Sequence, residues 1–387
     1  MSTLLTDARL VTPTGVIESG WIRIADGRIG EIGSGSPPDH AKPRALHGRW
    51  VVPGFIDLHV HGGGGHAMLS EDPDEVLAAV ASHRAHGTTS TLASLVSAPL
   101  DELLAALAAV RDVVRAGSMR AGLVGSHLEG PFLSPLRAGA HDPRRLLRPD
   151  RAILDRLLDA ADGTLRVITL APELPGGIDL VRHSVAAGVI VAIGHSDADL
   201  AQANAAFDAG ASLVTHLFNG MRPWHHRQPG LVGAALSRPG VVSELINDGI
   251  HLHDATARVA FAAASAGRIC LVTDCIATAG EGSFRLGDAE VRVDGDAVRL
   301  AGTQTLAGST LTMDRALRRA VQVLGVPMAV AVDAASSTPA RVLGIDDRVG
   351  KLEAGRGADL VVLSDALDVE AVMVGGEWTT SGRLFNR

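Results

Sequence analysis

The sequence predicts an α/β protein, a (β/α)8 TIM barrel with a small β-sandwich domain built from both chain ends. Eight short apolar segments alternate with alanine-rich helical segments over about 290 residues, as in a barrel. Both ends of the chain instead contain short strands joined by tight turns. The glycines at 62–65 lack the spacing of a dinucleotide-binding turn, which argues against an open doubly wound sheet.

The two chain ends are predicted to pair into one small domain, formed by residues 1–52 and 347–387, with the barrel at 53–346. The N-terminal strands are predicted at 8–11, 16–24 and 28–32, with Asp26-Gly27 as a hairpin turn. The C-terminal strands are predicted at 359–363 and 369–374. A chain that leaves and re-enters one appended domain explains why both ends have the same pattern.

The barrel elements follow from apolar runs and helical periodicity. The predicted strands are 55–60, 88–92, 122–127, 165–170, 189–193, 213–216, 242–247 and 269–273. The predicted helices are 73–86, 100–116, 150–160, 198–209 and 255–266, followed by 312–323 and a helix beginning at Ser337 with Pro339 in its first turn. Residues 306–309 are predicted to form a loop or turn before the helix that follows.

Composition excludes several functional classes. The net charge of the 387-residue chain is −8, which argues against nucleic acid as a partner. No run of 18 apolar residues is present, so no membrane span is expected, and the N-terminus shows no signal-peptide pattern. Two cysteines, Cys270 and Cys275, are typical of a reducing cytoplasm and are expected to pack in the barrel.

Lysine is almost absent. Lys42 and Lys351 are the only lysines, and none lies between residues 43 and 350. A Schiff-base lysine or a bridging lysine carbamate is therefore excluded in the barrel.

Metal-binding or acid–base side chains stand at the ends of five predicted strands. They are His59 and His61, Glu129, His195, His216 and Asp274. Catalytic groups of a barrel lie at the carboxyl ends of its strands, so these side chains should converge. Imidazole and carboxylate without thiolate indicate a catalytic site for zinc, iron, manganese or cobalt.

Asp274 could be a ligand or a base. A metal-bound water has its pKa lowered to near 7. A nearby carboxylate can accept its proton and pass it to a leaving amine, which is the chemistry of C–N bond hydrolysis.

Several motifs carry a resemblance to the amidohydrolase superfamily and, within it, to the N-acetylglucosamine-6-phosphate deacetylase family. The resemblance runs along the whole chain. The motifs are PGFIDLHVH at 53–61, HLEGPF at 127–132, GAHD at 139–142, GHS at 194–196, THLFNGM at 215–221, DGIH at 248–251, VTD at 272–274 and GKLEAGRGADLVV at 350–362.

The resemblance implies a metal set. Glu129, His195 and His216 would hold the main divalent ion, and His59 and His61 would hold a second ion beside Glu129. One or two ions per chain are expected, with zinc first and iron, manganese or cobalt as alternatives.

The resemblance also implies roles in catalysis and binding. Asp274 would be general base and then general acid, and His141 would stabilise the oxyanion. Asn219, Gly220 and Arg227 would bind the phosphate, and His251 would contact a substrate hydroxyl or the phosphate. Ala140, Leu306 and Gly308 complete the expected substrate site. Part of the phosphate contact crosses a dimer interface in this family, so a homodimer is expected.

The expected reaction is hydrolysis of N-acetylglucosamine 6-phosphate to glucosamine 6-phosphate and acetate, in amino-sugar catabolism and cell-wall recycling. N-acetylgalactosamine 6-phosphate and other N-acyl substrates are the alternatives. A non-catalytic binding barrel would show broken ligand sets, whereas every expected ligand is present in this sequence.

Overall fold

The computed structural model describes residues 2–37, 43–117, 122–265 and 267–380. Backbone contacts divide the chain into two units. The first contains residues 1–57, 83–90 and 313–387, and the second contains residues 58–82 and 91–312. The domain boundaries expected from the sequence, near 52 and 346, stay predictions.

The elements are named in chain order. The strands are β1 (Ser2–Thr12), β2 (Gly15–Ala25), β3 (Arg28–Ser34), β4 (Pro43–Pro53), β5 (Phe55–Asp57), β6 (Gly62–Gly63), β7 (His66–Ala67), β8 (Thr88–Val96), β9 (Leu123–Glu129), β10 (Leu165–Leu170), β11 (Ile190–Ile193), β12 (Leu213–Val214), β13 (Val242–Ile246), β14 (Ile269–Val272), β15 (Gly282–Leu286), β16 (Ala289–Asp294), β17 (Ala297–Leu300), β18 (Leu306–Ser309), β19 (Leu360–Leu363), β20 (Val369–Val374) and β21 (Glu377–Thr380). The α-helices are α1 (Pro73–Arg84), α2 (Leu100–Arg115), α3 (Arg151–Ala161), α4 (Gly177–Ala186), α5 (Leu200–Asp208), α6 (Gly230–Ser237), α7 (Asp254–Ala264), α8 (Met313–Gln322), α9 (Met328–Ala335) and α10 (Ser337–Val342).

The first unit contains a seven-stranded sheet in the order β21-β20-β19-β4-β1-β2-β3. Strands from both chain ends meet where β19 pairs antiparallel with β4, as the sequence predicts. Asp26 and Gly27 both have positive φ, which gives the hairpin turn expected between β2 and β3. Fully buried side chains such as Leu5, Ile22 and Val362 form its core.

The barrel sheet has eight strands in the order β14-β13-β12-β11-β10-β9-β8-β5. The pairs from β8 to β14 are parallel, which confirms the predicted alternation of strands and helices. The backbone N–H of Asp274 donates to the carbonyl oxygen of His59 at 2.8 Å, and this bond links the segment after β14 to the segment after β5. Side chains at the ends of the first and last strands are thereby brought together.

Two barrel helices were not predicted from the sequence. Helix α4 begins at Gly177, directly after the PELPG segment, and α6 is only eight residues long. Their length and glycine content hide the helical periodicity. No helix among the described residues is long and apolar enough to cross a membrane.

The segment after β14 differs from the prediction. Residues 306–309 are not a loop but strand β18, the last member of a four-stranded antiparallel sheet in the order β15-β16-β17-β18. The strands of this sheet are short, and exposed residues alternate with buried ones along β16, so they lack the continuous apolar run of a barrel strand.

Candidate active site

Three site residues follow their strands by the same distance. His195, His216 and Asp274 each stand two positions beyond the last residue of β11, β12 and β14. Their φ angles are +45°, +26° and +50°, in the left-handed region that non-glycine residues rarely adopt. Such strained conformations cluster at functional sites, where the surrounding structure holds them in place.

Glu129 and two histidines form the first cluster of donor atoms. Oε1 of Glu129, the last residue of β9, lies 3.1 Å from Nε2 of His195 and 3.0 Å from Nε2 of His216. The two Nε2 atoms are 3.0 Å apart. All three side chains are buried. The three residues expected to share one ion therefore converge.

A second cluster lies on the other side of Glu129. The Nε2 atoms of His59 and His61 are 3.1 Å apart, and Oε2 of Glu129 lies 3.1 Å from Nε2 of His61. Oδ1 of Asp274 lies 3.4 Å from His61 Nε2 and 3.6 Å from His59 Nε2. Glu129 thus contacts both clusters, His195 and His216 through Oε1 and His61 through Oε2, as a bridging carboxylate would.

The hydrogen bonds of Nδ1 in His59 and His61 fix the tautomer of each ring and so place its lone pair on Nε2. Nδ1 of His59 lies 3.0 Å from Oε2 of Glu244, and Nδ1 of His61 lies 3.0 Å from the carbonyl oxygen of Ser94. Both partners are acceptors, so each Nδ1 carries a proton and donates it. In the neutral rings two Nε2 lone pairs then face each other across 3.1 Å. That arrangement is repulsive unless a cation lies between them, so the doublet fits a metal ion.

His195 follows the same rule. Its Nδ1 donates to the carbonyl oxygen of Arg137 at 2.8 Å, which leaves the Nε2 lone pair directed at Glu129 and His216. Four donors at 2.0–2.1 Å around a tetrahedral ion would be about 3.3 Å apart. The contacts in the two clusters, between 3.0 and 3.6 Å, are close to that spacing. The donor set therefore fits one or two divalent ions.

His141 differs from these histidines because its Nδ1 accepts a hydrogen bond instead of donating one. The backbone N–H of Ser97 donates to Nδ1 of His141 at 3.4 Å, so the ring carries its proton on Nε2. Nε2 lies 3.3 Å from Oε2 of Glu129. Burial lowers the pKa of His141 to about 4, against the opposing influence of Glu129, so the ring is neutral at pH 7. His141 therefore presents an N–H donor to the site rather than a ligand lone pair.

At His59 the buried carboxylates outweigh the effect of burial. Burial lowers the pKa of His59, but Glu129, Asp274 and Glu244 outweigh it and hold that pKa well above its usual value. Burial raises the pKa of Glu129, and the neighbouring histidines, His59 first, bring it well below its usual value. The field that favours a charged imidazole here equally favours a bound metal cation.

His251 is paired with Asp248 at the mouth of the site. Its Nδ1 lies 2.7 Å from Oδ2 of Asp248, whose Oδ1 accepts the backbone N–H of His251 at 2.8 Å. Burial lowers the pKa of His251, yet the hydrogen bond and charge of Asp248 raise it above its usual value. The free edge of this ring is thereby presented as a donor.

A cavity of about 350 Å³ opens beside the two clusters. It is lined by the predicted residues Glu129, Ala140, His141, His195, His216, Asn219, Gly220, His251, Asp274, Leu306, Gly308 and His61. His59 is fully buried behind this wall. His66 lies outside it, half-buried and bonded to Glu75 at 3.1 Å.

Arg227 is not brought into the metal cavity. It is exposed and lines a separate cavity of about 590 Å³ with Arg222 and the start of α5. Its Nη1 lies 2.8 Å from Nε2 of His226, in a segment that also exposes Trp224 by 51%. The predicted phosphate-binding residues are thus split, with Asn219 and Gly220 in one cavity and Arg227 in the other.

Two glycines let the backbone approach the ring of His195. A Cβ added at Gly220, whose φ is +58°, would lie 3.0 Å from Nδ1 of His195, and one at Gly139 would lie 3.0 Å from Cε1. The ring is held between two backbone segments, which limits its rotation. From the sequence Gly220 is expected only at the phosphate, and its contact with His195 is visible only in the structure.

The structure adds residues that the sequence argument missed. Leu286, Gln304 and Thr305 line the cavity from the antiparallel sheet β15–β18, which was not predicted. Glu244 lies fully buried within β13 and bonds His59. A single carboxylate inside the apolar run 242–246 is a signal that could have identified it, because an unpaired buried charge is costly.

Known proteins place the chain in a family. The Amidohydrolase family profile matches residues 50–379. An N-acetylgalactosamine-6-phosphate deacetylase of Escherichia coli O157:H7 is 40% identical over 97% of this chain and 99% of its own. An N-acetylglucosamine-6-phosphate deacetylase of Homo sapiens is 41% identical over 86% of this chain and 84% of its own.

A solved structure agrees with these relatives. It is the N-acetyl-D-glucosamine-6-phosphate deacetylase of Mycobacterium smegmatis, an aspartate-to-alanine mutant in complex with N-acetyl-D-glucosamine-6-phosphate. It superposes with a TM-score of 0.94 at 43% identity, over 98% of this chain and 100% of that one. The chain therefore belongs to the amidohydrolase family and, within it, to the family of the N-acetylglucosamine-6-phosphate deacetylases.

Proposed function

We propose that this enzyme hydrolyses the N-acetyl group of N-acetylglucosamine 6-phosphate, giving glucosamine 6-phosphate and acetate. The observation that carries the proposal is one cavity wall on which the Glu129 cluster, the Asp274 carboxylate and the inward Nε2–H of His141 meet. An amide hydrolase needs these three functions at the scissile C–N bond. The role in amino-sugar catabolism and cell-wall recycling follows from that reaction.

Asp274 moves the proton. A divalent ion held by Glu129, His195 and His216 would supply Lewis-acid activation of water and of the amide carbonyl. Asp274 accepts the proton of the attacking water on a carboxylate oxygen and returns it to the amine nitrogen as the C–N bond breaks. The same carboxylate is therefore first base and then acid, and no other proton carrier is needed.

His141 stabilises the developing charge. Its Nε2–H donates to the acetyl oxygen, which becomes negative as water adds to the carbonyl carbon. The bond from Ser97 to Nδ1 supports this assignment, because it keeps the proton on the side of the ring that faces the site.

The sugar phosphate is held at the outer end of the cavity. His251 donates to a hydroxyl or to the phosphate, and the Asn219 and Gly220 backbone N–H groups bind phosphate oxygens. Arg227 adds positive charge to the phosphate of a second copy of the chain in a homodimer. The exposure of Arg227 and Trp224 supports that arrangement, because neither side chain is used within its own chain's metal cavity.

The finer properties of the site are further parts of the proposal. Zinc is the first choice of metal because imidazole and carboxylate donors at near-tetrahedral spacing suit it, and iron, manganese and cobalt share those ligands. A cytoplasmic location is inferred from the low cysteine content: the chain has two cysteines, Cys270 and Cys275, and both are buried.

Parallel assays of two epimeric substrates test the proposal. The purified, metal-loaded protein is given N-acetylglucosamine 6-phosphate or N-acetylgalactosamine 6-phosphate, and released acetate is measured. We expect the higher kcat/KM with the glucosamine epimer. A preference for the galactosamine epimer would favour the alternative, which the 40% identity to the Escherichia coli O157:H7 relative motivates. No acetate from either would overturn both.

A further inference from the structure

We propose that Glu244 is the positioning residue that makes the His59/His61 doublet a metal position. This inference rests on the proposed second ion of the site. Glu244 does not reach the cavity and would not be a ligand itself. It acts through the ring of His59, whose outer nitrogen it holds.

The contact between the two residues is short and fully buried. Oε2 of Glu244 lies 3.0 Å from Nδ1 of His59, and both side chains are 0% exposed. Because the carboxylate accepts a hydrogen bond from Nδ1–H of His59, the lone pair of that ring is on Nε2 and is directed at His61 and Glu129. A carboxylate bonded to the outer nitrogen also makes the imidazole a stronger ligand, and loss of such a partner typically weakens metal binding about 10- to 100-fold.

Two other ligand histidines, His61 and His195, are supported differently. Nδ1 of His61 donates to the carbonyl oxygen of Ser94, and Nδ1 of His195 donates to that of Arg137. Backbone carbonyls survive any side-chain change, whereas the support of His59 depends on one side chain. The second ion should therefore be more sensitive to Glu244 than the main ion.

His127, which packs against His59, cannot replace Glu244 as its hydrogen-bond acceptor. The ring of His127 lies against that of His59, with centroids 4.7 Å apart. Its two nitrogens are already used, Nδ1 by the Ser94 hydroxyl at 3.0 Å and Nε2 by the Thr169 hydroxyl at 2.8 Å. His127 therefore packs against His59 but offers no acceptor to its Nδ1.

The balance of buried charges near Glu244 also indicates a cation at the His59/His61 doublet. Its Oε2 additionally accepts the backbone N–H of His216 at 3.2 Å, but Oε1 has no hydrogen-bond partner among the described residues. With Glu129 and Asp274 it is one of the three buried carboxylates that contact His59. The described cavity lining contains no arginine or lysine. Burying three negative charges without cations is costly, and divalent ions at the two clusters would compensate them.

Metal titration of three proteins tests the inference. Wild type, Glu244→Gln and Glu244→Leu are stripped with a chelator and titrated with Zn²⁺ alone, and bound ions per chain and both dissociation constants are measured. Visible absorption of the Co²⁺-loaded proteins reports the ligand environment of the second ion independently of turnover. The matched control is Asp155→Asn. Oδ1 of Asp155 lies 2.5 Å from Nε2 of His183, so this substitution also removes a carboxylate that contacts a histidine, but outside the metal site.

We expect wild type to bind two ions. Glu244→Leu should bind one, and Glu244→Gln should bind the second ion about 10- to 100-fold more weakly while the main ion changes little. Glutamine keeps an acceptor oxygen, so it should recover part of the loss. Equal weakening of both ions would indicate general destabilisation and would overturn the proposal. Unchanged affinity for the second ion in Glu244→Gln would also overturn it, even if Glu244→Leu does not fold.

A cycle with His59→Asn shows whether Glu244 acts through His59. On the His59→Asn background, which should bind one ion, Glu244→Gln should have no further effect on metal affinity. An additional loss there would contradict the proposed route. Wild type that binds a single ion would overturn the inference but leave the deacetylase proposal intact. Two bound ions with the expected Glu244 effect, but no acetate release, would support the inference and overturn the deacetylase proposal.

Discussion

The backbone N–H of Ser97 donates to Nδ1 of His141, at 3.4 Å, and this bond separates His141 from the other histidines around Glu129. By distance alone His141 could be a ligand, because its Nε2 lies 3.3 Å from Oε2 of Glu129. Nδ1 of His141 accepts a hydrogen bond, whereas Nδ1 of His61 and Nδ1 of His195 each donate one. The ring therefore offers a donor to a substrate oxygen and not a lone pair to a metal.

Replacement of His141 should separate catalysis from metal binding. His141→Ala should lower kcat about 10²- to 10³-fold, the usual loss of one oxyanion donor. Its metal content should equal that of wild type, measured by elemental analysis of the dialysed proteins. His66→Ala, a half-buried histidine outside the cavity, is the control and should change neither quantity. Loss of an ion in His141→Ala would instead identify His141 as a ligand.

Asp274→Asn should retain metal and lose turnover. The amide cannot take a proton from water or return one to the amine, so kcat should fall about 10²- to 10⁴-fold. KM should change much less. The measurement is steady-state acetate release together with metal analysis of the same preparation. Near-normal kcat would exclude Asp274 as the proton carrier.

Arg227→Ala tests the split of the phosphate-binding residues between two cavities. If Arg227 binds the phosphate of a partner copy, the substitution should raise KM for the phosphorylated sugar about 10- to 100-fold, as expected for loss of a charged hydrogen bond. KM for unphosphorylated N-acetylglucosamine should hardly change. Arg182→Ala, which removes an exposed ion pair with Asp179, is the control. Equal effects on both sugars would contradict the phosphate role.

The pair of Asp248 and His251 predicts a pH dependence. Asp248 holds the pKa of His251 above its usual value, so the ring is a charged donor at lower pH and loses that charge as the pH rises through the raised pKa. The contribution of the pair to folding stability depends on pH in the same direction. It is complete below the usual histidine pKa and is lost as the pH rises through the raised pKa.

Removal of the carboxylate should shift that dependence. In Asp248→Asn burial still lowers the pKa of His251, and only the charge of Asp274 remains to raise it, so the alkaline limb of kcat/KM should move to lower pH. The measurement is a pH profile of both proteins, with the exposed Asp179→Asn as control. An unchanged alkaline limb would show that another group controls it.

The strand ends were the part of the site that could be predicted from sequence. His195, His216 and Asp274 follow apolar runs that the pattern identified as strands, and barrel topology puts those ends together. The contribution of Leu286, Gln304 and Thr305 to the cavity could not be found in this way, because the strands β15–β18 are short, partly exposed and interrupted by turns.

The sequence by itself determined the barrel, the pairing of both chain ends and the strand-end side chains that converge around Glu129, because strand alternation and strand-end side chains are local patterns. Only the tertiary structure decided which face each histidine ring presents. That depends on the partner of each Nδ1, and Ser97, Ser94 and Glu244 stand 44, 33 and 185 positions away from the histidines that they hold. No local pattern encodes such pairs, since they exist only once the strands have closed around Glu129.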